Sequence, residues 1–156
     1  MVLIQQVQQA SEELDLVKDL FVEYSIVLNE DLCFQSFQEE VDDPLKKYGE
    51  PHGSLFLARV NGEAVGCIAL QPLQQEGMCE MKRLYVKPAF QEHGIGKKLV
   101  EVLLQEATKK GYKIMLLDTL DRLQPAMNLY LKFGFRHTSS YYQNPLKGVV
   151  YMQKDL

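Results

Sequence analysis

A strand, a short loop and a helix that opens on two glycines follow one another near the middle of the chain. Residues 91–98 read QEHGIGKK, with the glycines at 94 and 96. Such a junction presents successive backbone N–H groups, and the positive end of a helix dipole, to an anion. Lys97 and Lys98 stand in the first helical turn, where the dipole alone favours acidic residues. The segment therefore predicts that a phosphate-bearing ligand binds at this end of the helix.

Two common glycine-loop motifs do not fit this segment. A dinucleotide-binding fingerprint, G-x-G-x-x-G, requires a third glycine where Leu99 stands. A nucleotide-binding P-loop, G-x-x-x-x-G-K-[ST], requires glycine in place of Gln91 and a hydroxyl residue in place of Lys98. We therefore do not expect nucleotide hydrolysis.

Length, charge and cysteine spacing exclude several classes of protein. The 156 residues suit one domain, spanning 1–156, that is large enough to bury a core. The net charge of −4 argues against a nucleic-acid partner, for which a basic surface supplies most of the affinity. Cys33, Cys67 and Cys79 lack the spacing of a metal site or a disulfide framework, so we expect no metal and a reducing, cytoplasmic location. The apolar run at 1–6 is short and has no basic lead, so we expect no signal peptide and no membrane partner.

The hydrophobic pattern predicts a mixed α/β fold with helices on both faces of a sheet. Ser11 is a suitable N-cap for an amphipathic helix that reaches Leu28, and Asn61-Gly62 predicts a tight hairpin over 55–70. Further helices are predicted over 37–48, with an interruption near Pro44, over 95–110 and from Pro125 to Gly134; further strands are predicted at 2–7, 78–86, 113–119, 135–138 and 149–153. The resulting order is β-α-α-β-β-β-α-β-α-β-β.

The combination of Gln91, Gly94 and Gly96 after a strand ending LYVKP resembles a known family motif. It is similar to the Q/R-x-x-G-x-G/A motif of the GNAT superfamily of acyl-CoA-dependent N-acetyltransferases. Downstream, residues 128–135 read NLYLKFGF and resemble the family's L-Y-x-x-x-G-F segment. The resemblance covers roughly residues 55–135. It implies a mostly antiparallel sheet whose central parallel strands splay apart around the coenzyme.

The resemblance also implies that acetyl-CoA is the cosubstrate. In this family, the splayed strand holds the pantetheine arm and the glycine loop wraps the pyrophosphate through backbone groups. The chain departs from the family pattern at Glu92, where glycine is usual, and at Leu123, where many relatives have asparagine. We expect the side chain of Glu92 to point to solvent. Carried over by position, the coenzyme contacts fall on Leu84, Tyr85, Val86, Gln91, Glu92, His93, Gly94, Ile95, Gly96 and Lys97.

Direct transfer to an amine requires a base, because a lysine-like amine is mostly protonated at neutral pH. The leaving thiolate also benefits from a hydrogen-bond or proton donor. By resemblance, Glu80 is the closest candidate for a base acting through water, and Tyr130 matches the tyrosine that serves as general acid or orients the thiol. Strand alternation places Glu80 on one face with Lys82, Leu84 and Val86 unless a bulge intervenes. Two plainer interpretations stay open: Glu80 as a salt-bridge partner of its basic neighbours, and Tyr130 as a core aromatic.

The acceptor is expected to contact residues 21–48 and 141–148. Acidic and aromatic side chains in the first region suit a cationic amine, and a small-molecule amine, an amino acid or a peptide remain alternatives. Asp118, at the end of its strand, is either an acceptor contact or a loop-capping residue. A non-catalytic acyl-CoA sensor and an interaction domain are the alternatives to an enzyme, and strand 149–153 offers one route to a homodimer. The candidate contacts in the first region are Glu23, Tyr24, Asn29, Glu30, Asp31, Phe34 and Phe37.

Overall fold

A mixed sheet of seven strands forms the centre of the computed structural model, which describes residues 1–156. The strand order is β1-β2-β3-β4-β5-β7-β6, and every neighbouring pair is antiparallel except β4 and β5, which are parallel. The strands are β1 (Val2–Gln6), β2 (Ser54–Val60), β3 (Glu63–Pro72), β4 (Met78–Val86), β5 (Ile114–Leu120), β6 (Arg136–His137) and β7 (Val149–Asp155). The helices are α1 (Glu12–Leu28), α2 (Phe37–Asp42), α3 (Pro44–Tyr48), α4 (Ile95–Lys109) and α5 (Gln124–Lys132), with 3₁₀ turns at Cys33–Gln35 and Pro88–His93.

The predicted fold class and element order are confirmed. The one helix predicted over residues 37–48 is two helices, because Pro44 begins α3 and cannot continue the backbone hydrogen bonding of α2. Helix α5 begins at Gln124, one residue before Pro125. The Ser11 side chain caps α1 by accepting the N–H of Leu14 at 3.2 Å.

Two hydrophobic layers pack on opposite faces of the sheet. Helix α1 covers one face with Leu14, Val17 and Phe21, all buried. Helix α4 covers the other face with residues that recur every three or four positions, including Leu99 and Leu103, which have no exposed surface. The side chains of β4 therefore point either to the face of the sheet that α1 covers or to the face that α4 covers.

A bulge in β4 changes which side chains face which layer. The register with β3 shifts between Cys67 and Ala69, and Arg83 adopts a left-handed conformation with φ of 58°. After the bulge, Leu84 and Val86 pack into the α4-side core, whereas Glu80 and Lys82 lie on the α1 side. Strict alternation, which predicted one shared face for these four residues, is therefore wrong beyond Lys82.

The parallel strands β4 and β5 pair only near their beginnings. The paired positions are Met78 with Ile114, Cys79 with Met115 and Glu80 with Leu116. Past these pairs the two strands diverge, so their facing backbone groups have no partner in the neighbouring strand. This divergence is the predicted splay, and it opens the middle of the sheet.

A buried ion pair connects α2 to the bulge. The Arg83 guanidinium donates from Nε to Glu40 Oε2 at 2.6 Å and from Nη2 to Glu40 Oε1 at 3.0 Å. The two side chains are 2% and 1% exposed, and the guanidinium lies 5.1 Å from the centre of the Phe37 ring. Burial favours the neutral acid, but the hydrogen bonding and charge of Arg83 outweigh it and hold the pKa of Glu40 below its ordinary value.

Replacing Glu40 with Gln should destabilise the fold, because Arg83 then remains buried without its counter-ion. We expect the free energy of unfolding to fall by roughly 3–5 kcal/mol at pH 7 in urea titrations. Glu39→Gln, an exposed change on the same helix, is the matched control and should change it by less than about 0.5 kcal/mol.

The same comparison has a defined pH dependence. Because the folded-state pKa of Glu40 lies below the ordinary 4.5, its contribution to stability is complete above that pH and is lost as the pH falls below it. The difference between wild type and Glu40→Gln should therefore narrow as the pH is lowered from 5 toward 3. A difference that stays constant over this range, or that is absent at pH 7, would contradict the ion pair's role.

Candidate active site

The start of helix α4 presents unpaired backbone donors. Gly94 is the N-cap and no side chain caps the helix. The N–H groups of the first three helical residues, Ile95 to Lys97, have no intrahelical acceptor, and Lys98 is the first to bond back, to the carbonyl of Gly94 at 3.2 Å. The helix thus begins with free backbone N–H groups, which is the geometry that the anion-binding prediction requires.

Glycine suits the two loop positions for different structural reasons. Gly94 has φ of 72°, a conformation that side-chain-bearing residues rarely adopt, and it has open space around it. Gly96 has an ordinary helical backbone, and a Cβ there would lie 3.6 Å from Leu129 Cδ2 and 3.9 Å from Val86 Cγ2. Gly94 therefore sets the loop's direction, and Gly96 keeps open the space between α4, α5 and β4.

That space is a cleft of about 400 Å³, which we call the loop-side cleft. Gln91 helps to shape it by donating from Nε2 to the carbonyl of Val86 at 3.0 Å, which ties the 3₁₀ turn to the end of β4. Of the residues predicted to hold the coenzyme, Glu92, His93 and Ile95 do not line it: the first two are exposed and Ile95 is buried in the core. The lining residues are Tyr24, Val27, Leu28, Leu84, Tyr85, Val86, Gln91, Gly94, Gly96, Lys97, Leu123, Pro125, Ala126 and Leu129.

A small cavity of about 80 Å³, which we call the splay cavity, lies where β4 and β5 separate. Met81 and Leu84 of β4 line it together with Leu117 of β5 and Tyr130 of α5. Tyr130 is 7% exposed, its ring packs against Phe135 at 5.9 Å, and burial raises the pKa of its phenol. A phenol in this state keeps its proton and can donate it into the cavity.

A second large cleft, of about 480 Å³, opens on the other side of the splay cavity, and we call it the far-side cleft. Gln35 and Lys82 line both this cleft and the splay cavity, and Tyr24 and Leu84 line both the splay cavity and the loop-side cleft. The three spaces therefore share walls in series through the sheet. The far-side cleft is lined by Phe34, Gln35, Lys47, Gln71, Leu73, Gln74, Gln75, Met78, Glu80, Lys82, Leu116, Tyr141 and Tyr142.

Glu80 is buried in this cleft, and each of its carboxylate oxygens accepts one hydrogen bond. Its Oε1 accepts a hydrogen bond from Gln71 Nε2 at 2.6 Å, and its Oε2 accepts one from the Tyr141 hydroxyl. Lys82 Nζ lies 3.9 Å from Oε2.

Cys79 precedes Glu80 in the chain and faces the opposite side of the sheet. Burial raises the pKa of its thiol to about 12. The thiol is therefore protonated at neutral pH, and a protonated thiol is a poor nucleophile.

Lys82 lies between two carboxylates. Its Nζ is 3.8 Å from Asp118 Oδ1 and donates to Gln35 Oε1 at 3.3 Å. Burial lowers the pKa of Lys82, while the nearby carboxylates act in the opposite direction. Asp118 also accepts hydrogen bonds from the Tyr142 hydroxyl and, at 2.7 Å, from Asn144 Nδ2. Asp118 thus holds the segment between β6 and β7 in place.

The composition of the far-side cleft differs from the sequence expectation. The predicted acidic wall is absent from it: Glu23, Glu30 and Asp31 do not line the cleft, and of the aromatic candidates only Phe34 does. Its charged residues are instead Lys47, Lys82 and Glu80. The tyrosine pair at 141 and 142, inside a segment already assigned to the acceptor, was the one visible sign of the network around Glu80 and Asp118.

The structure contains no group of three or more histidine, cysteine, aspartate or glutamate side chains arranged to hold a metal ion. None of its helices combines the length and apolarity needed to cross a bilayer.

Comparisons with known proteins agree with this geometry. Residues 14–135 match the Acetyltransferase (GNAT) family. An uncharacterized N-acetyltransferase of Schizosaccharomyces pombe is 45% identical over 146 residues, which are 93% of this chain and 90% of that protein. An acetyltransferase from Streptococcus agalactiae has the same fold, with a TM-score of 0.83 at 19% identity over 99% of this chain and 98% of its own.

A GNAT family acetyltransferase from Elizabethkingia anophelis, solved with acetyl-CoA bound, superposes with a TM-score of 0.72 at 24% identity, covering 99% of this chain and 98% of that one. The family match spans most of the chain, and the S. pombe relative aligns over nearly all of it. The chain therefore belongs to the GNAT family of acetyltransferases and is an acyltransferase.

Proposed function

We propose that this enzyme transfers the acetyl group of acetyl-CoA directly to the amine of an acceptor bound in the far-side cleft. The observation that carries the proposal is the series of three adjoining spaces that share wall residues: a cleft at the start of α4, the splay cavity, and a second cleft lined by Glu80. Two reactants entering from opposite sides meet at the splay cavity. The acetyl-CoA held by the E. anophelis neighbour supports this donor.

The three free cysteines support a reducing location such as the cytoplasm.

The loop-side cleft has the features that a coenzyme A donor requires. The free N–H groups at the start of α4 suit a pyrophosphate, and Lys97 adds a positive charge beside them. The β4 edge near Leu84 and Val86 has backbone groups without partners in β5, and these suit the amides of a pantetheine arm. The exposed Glu92 keeps its carboxylate away from the phosphates. In this proposal Gln91, Glu92, His93 and Gly94 contribute their backbones.

The residues around the splay cavity suit the proton transfers of the reaction. Glu80 is the proposed base: each of its oxygens has a lone pair beyond the one already used, and so accepts a proton from the acceptor amine through water. The neutral amine then attacks the thioester carbonyl, which the backbone N–H of Leu84 polarises. Tyr130 donates to the departing thiolate; burial raises the pKa of the phenol, so it stays protonated until negative charge develops on the sulfur beside it.

Replacing Tyr130 with Phe removes the proposed proton donor and should leave the coenzyme cleft intact. We expect the turnover number to fall by about 10²–10⁴-fold, the usual contribution of a positioned acid, while the affinity for CoA stays within about twofold. Turnover is measured as thiol release from acetyl-CoA with a panel of amines. Tyr112→Phe, which removes a hydroxyl bonded to the His52 carbonyl far from the cavity, is the matched control.

Three outcomes of this experiment have different meanings. Lost turnover with retained CoA affinity supports the role of Tyr130. Full turnover by Tyr130→Phe contradicts that role. Wild-type protein that binds CoA but releases no thiol with any amine points instead to the non-catalytic sensor.

Replacing Gly96 with Ala should weaken coenzyme binding without harming the fold. The added methyl group meets only ordinary contacts with Leu129 and Val86, but it occupies the cleft between them. We expect the binding free energy for acetyl-CoA to weaken by about 1–3 kcal/mol in calorimetric titrations, with an unchanged or slightly raised melting temperature. Gln105→Ala, exposed on the same helix, is the control. Unchanged affinity for acetyl-CoA in Gly96→Ala would argue against this binding site.

A further inference from the structure

We infer that the acceptor carries a carboxylate as well as its amine, and that Lys47 binds this carboxylate at the mouth of the far-side cleft. The inference rests on the proposed function, because it names the class of amine that the same cleft takes. It rests on the position and exposure of Lys47 and on the hydrogen bonds that the carboxylates near the cleft already accept.

The carboxylates near the cleft have little to offer a cationic acceptor. Glu80 already receives hydrogen bonds from Gln71 and Tyr141, and Asp118 receives them from Tyr142 and Asn144. Lys82 lies within 4 Å of both and balances their charge. An acceptor with a second ammonium group would have to compete with this buried lysine for the same oxygens.

Lys47 is the cation of this cleft that faces solvent. It lies on α3, and its side chain is 33% exposed, against 6% for Lys82. Its Nζ lies 3.2 Å from Glu40 Oε1 and 3.3 Å from the carbonyl of Gln35. An ammonium has three N–H donors, so one is left for a ligand. Glu40 also accepts hydrogen bonds from Nε and Nη2 of Arg83, and this competition weakens its interaction with Lys47.

The remaining walls of the cleft suit an amino acid. Among the residues that line the cleft, Lys47 and Lys82 are cationic and Glu80 is anionic, while Glu40, Asp118 and Arg83 behind them bring the wider region to charge balance. The exposed ammonium of Lys47 is therefore the charge that complements a carboxylate on the acceptor. The amide groups of Gln74 and Gln75 add neutral donors. Phe34, Leu73 and Met78 form an apolar wall for a side chain, and about 480 Å³ accommodates a small molecule of this kind. A polyamine or a simple alkylamine would make no use of the remaining N–H of Lys47.

Paired acceptors test this inference. Free amino acids and the corresponding amides, for example those of leucine and phenylalanine, are compared at pH 8 by thiol release from acetyl-CoA, together with phenethylamine and spermidine. The amide amine is less basic, so reactivity alone favours the amide. We expect the free acids to be acetylated with kcat/KM roughly 10- to 100-fold higher than that of the amides, as expected for a hydrogen bond between charged groups.

Variants at Lys47 assign the preference to this residue. Lys47→Met should lower kcat/KM for the free acids by roughly 10- to 100-fold and leave the amides within about threefold, while Lys47→Arg retains the preference. Lys46→Met, an exposed change on the same helix, should behave as wild type. Equal losses for acids and amides in Lys47→Met would show a merely structural role and overturn the inference.

Other results also overturn it, and they separate it from the proposed function. Amides, phenethylamine or spermidine used as well as the free acids would refute the carboxylate requirement and leave the acetyltransferase proposal standing. Acetylation of none of these amines would refute the inference as well. In that case calorimetric binding of acetyl-CoA decides whether the proposed function still holds.

Discussion

The bulge at Arg83 turns β4 away from β5, and the rest of the site depends on the space that this opens. A left-handed arginine costs roughly 1–2 kcal/mol relative to ordinary strand geometry. Its guanidinium is held by Glu40 and Gln35 and lies beside the rings of Phe37 and Tyr24. These contacts come from α1, α2 and the turn between them. Gln35 of that turn also lines the far-side cleft, so one segment both walls the cleft and helps to hold the bulge in place.

Charge balance is the second constraint on this region. Three cations, Lys47, Lys82 and Arg83, lie among three carboxylates, Glu40, Glu80 and Asp118. Buried charges are tolerated only when they are paired and hydrogen-bonded, and each of these has at least one partner of opposite charge. The arrangement places a carboxylate at the proposed point of amine deprotonation. It also leaves the most exposed positive charge at the mouth of the cleft.

The parts of the fold that follow local rules could be predicted from the sequence. The hairpin at Asn61-Gly62, the helix that begins after Gly94 and the family-like splay are specified by short segments, and the structure contains all three. Helix 37–48 was predicted as one element with an interruption at Pro44, and there the chain forms two helices.

The far-side network could not be predicted in the same way. Gln35, the cross-strand pair of Gln71 and Glu80, and the tyrosines at 141 and 142 are far from one another in the chain and meet only through the tertiary fold. An arginine in left-handed geometry has no local signature, so the sequence analysis allowed for a bulge in this strand but did not place it at Arg83. The acidic residues of the first helical region suggested a cationic acceptor by their charge. Only the structure shows that they do not line the far-side cleft.

A crystal structure of the protein with acetyl-CoA tests the central claim most directly, because the claim concerns where two reactants meet. The account predicts that the pyrophosphate contacts the N–H groups at the start of α4 and that the pantetheine arm follows β4 at Leu84 and Val86. The acetyl group should then lie in the splay cavity beside Tyr130, facing Glu80 across the sheet. Coenzyme bound outside the loop-side cleft, or an acetyl group that does not reach the splay cavity, would contradict the account.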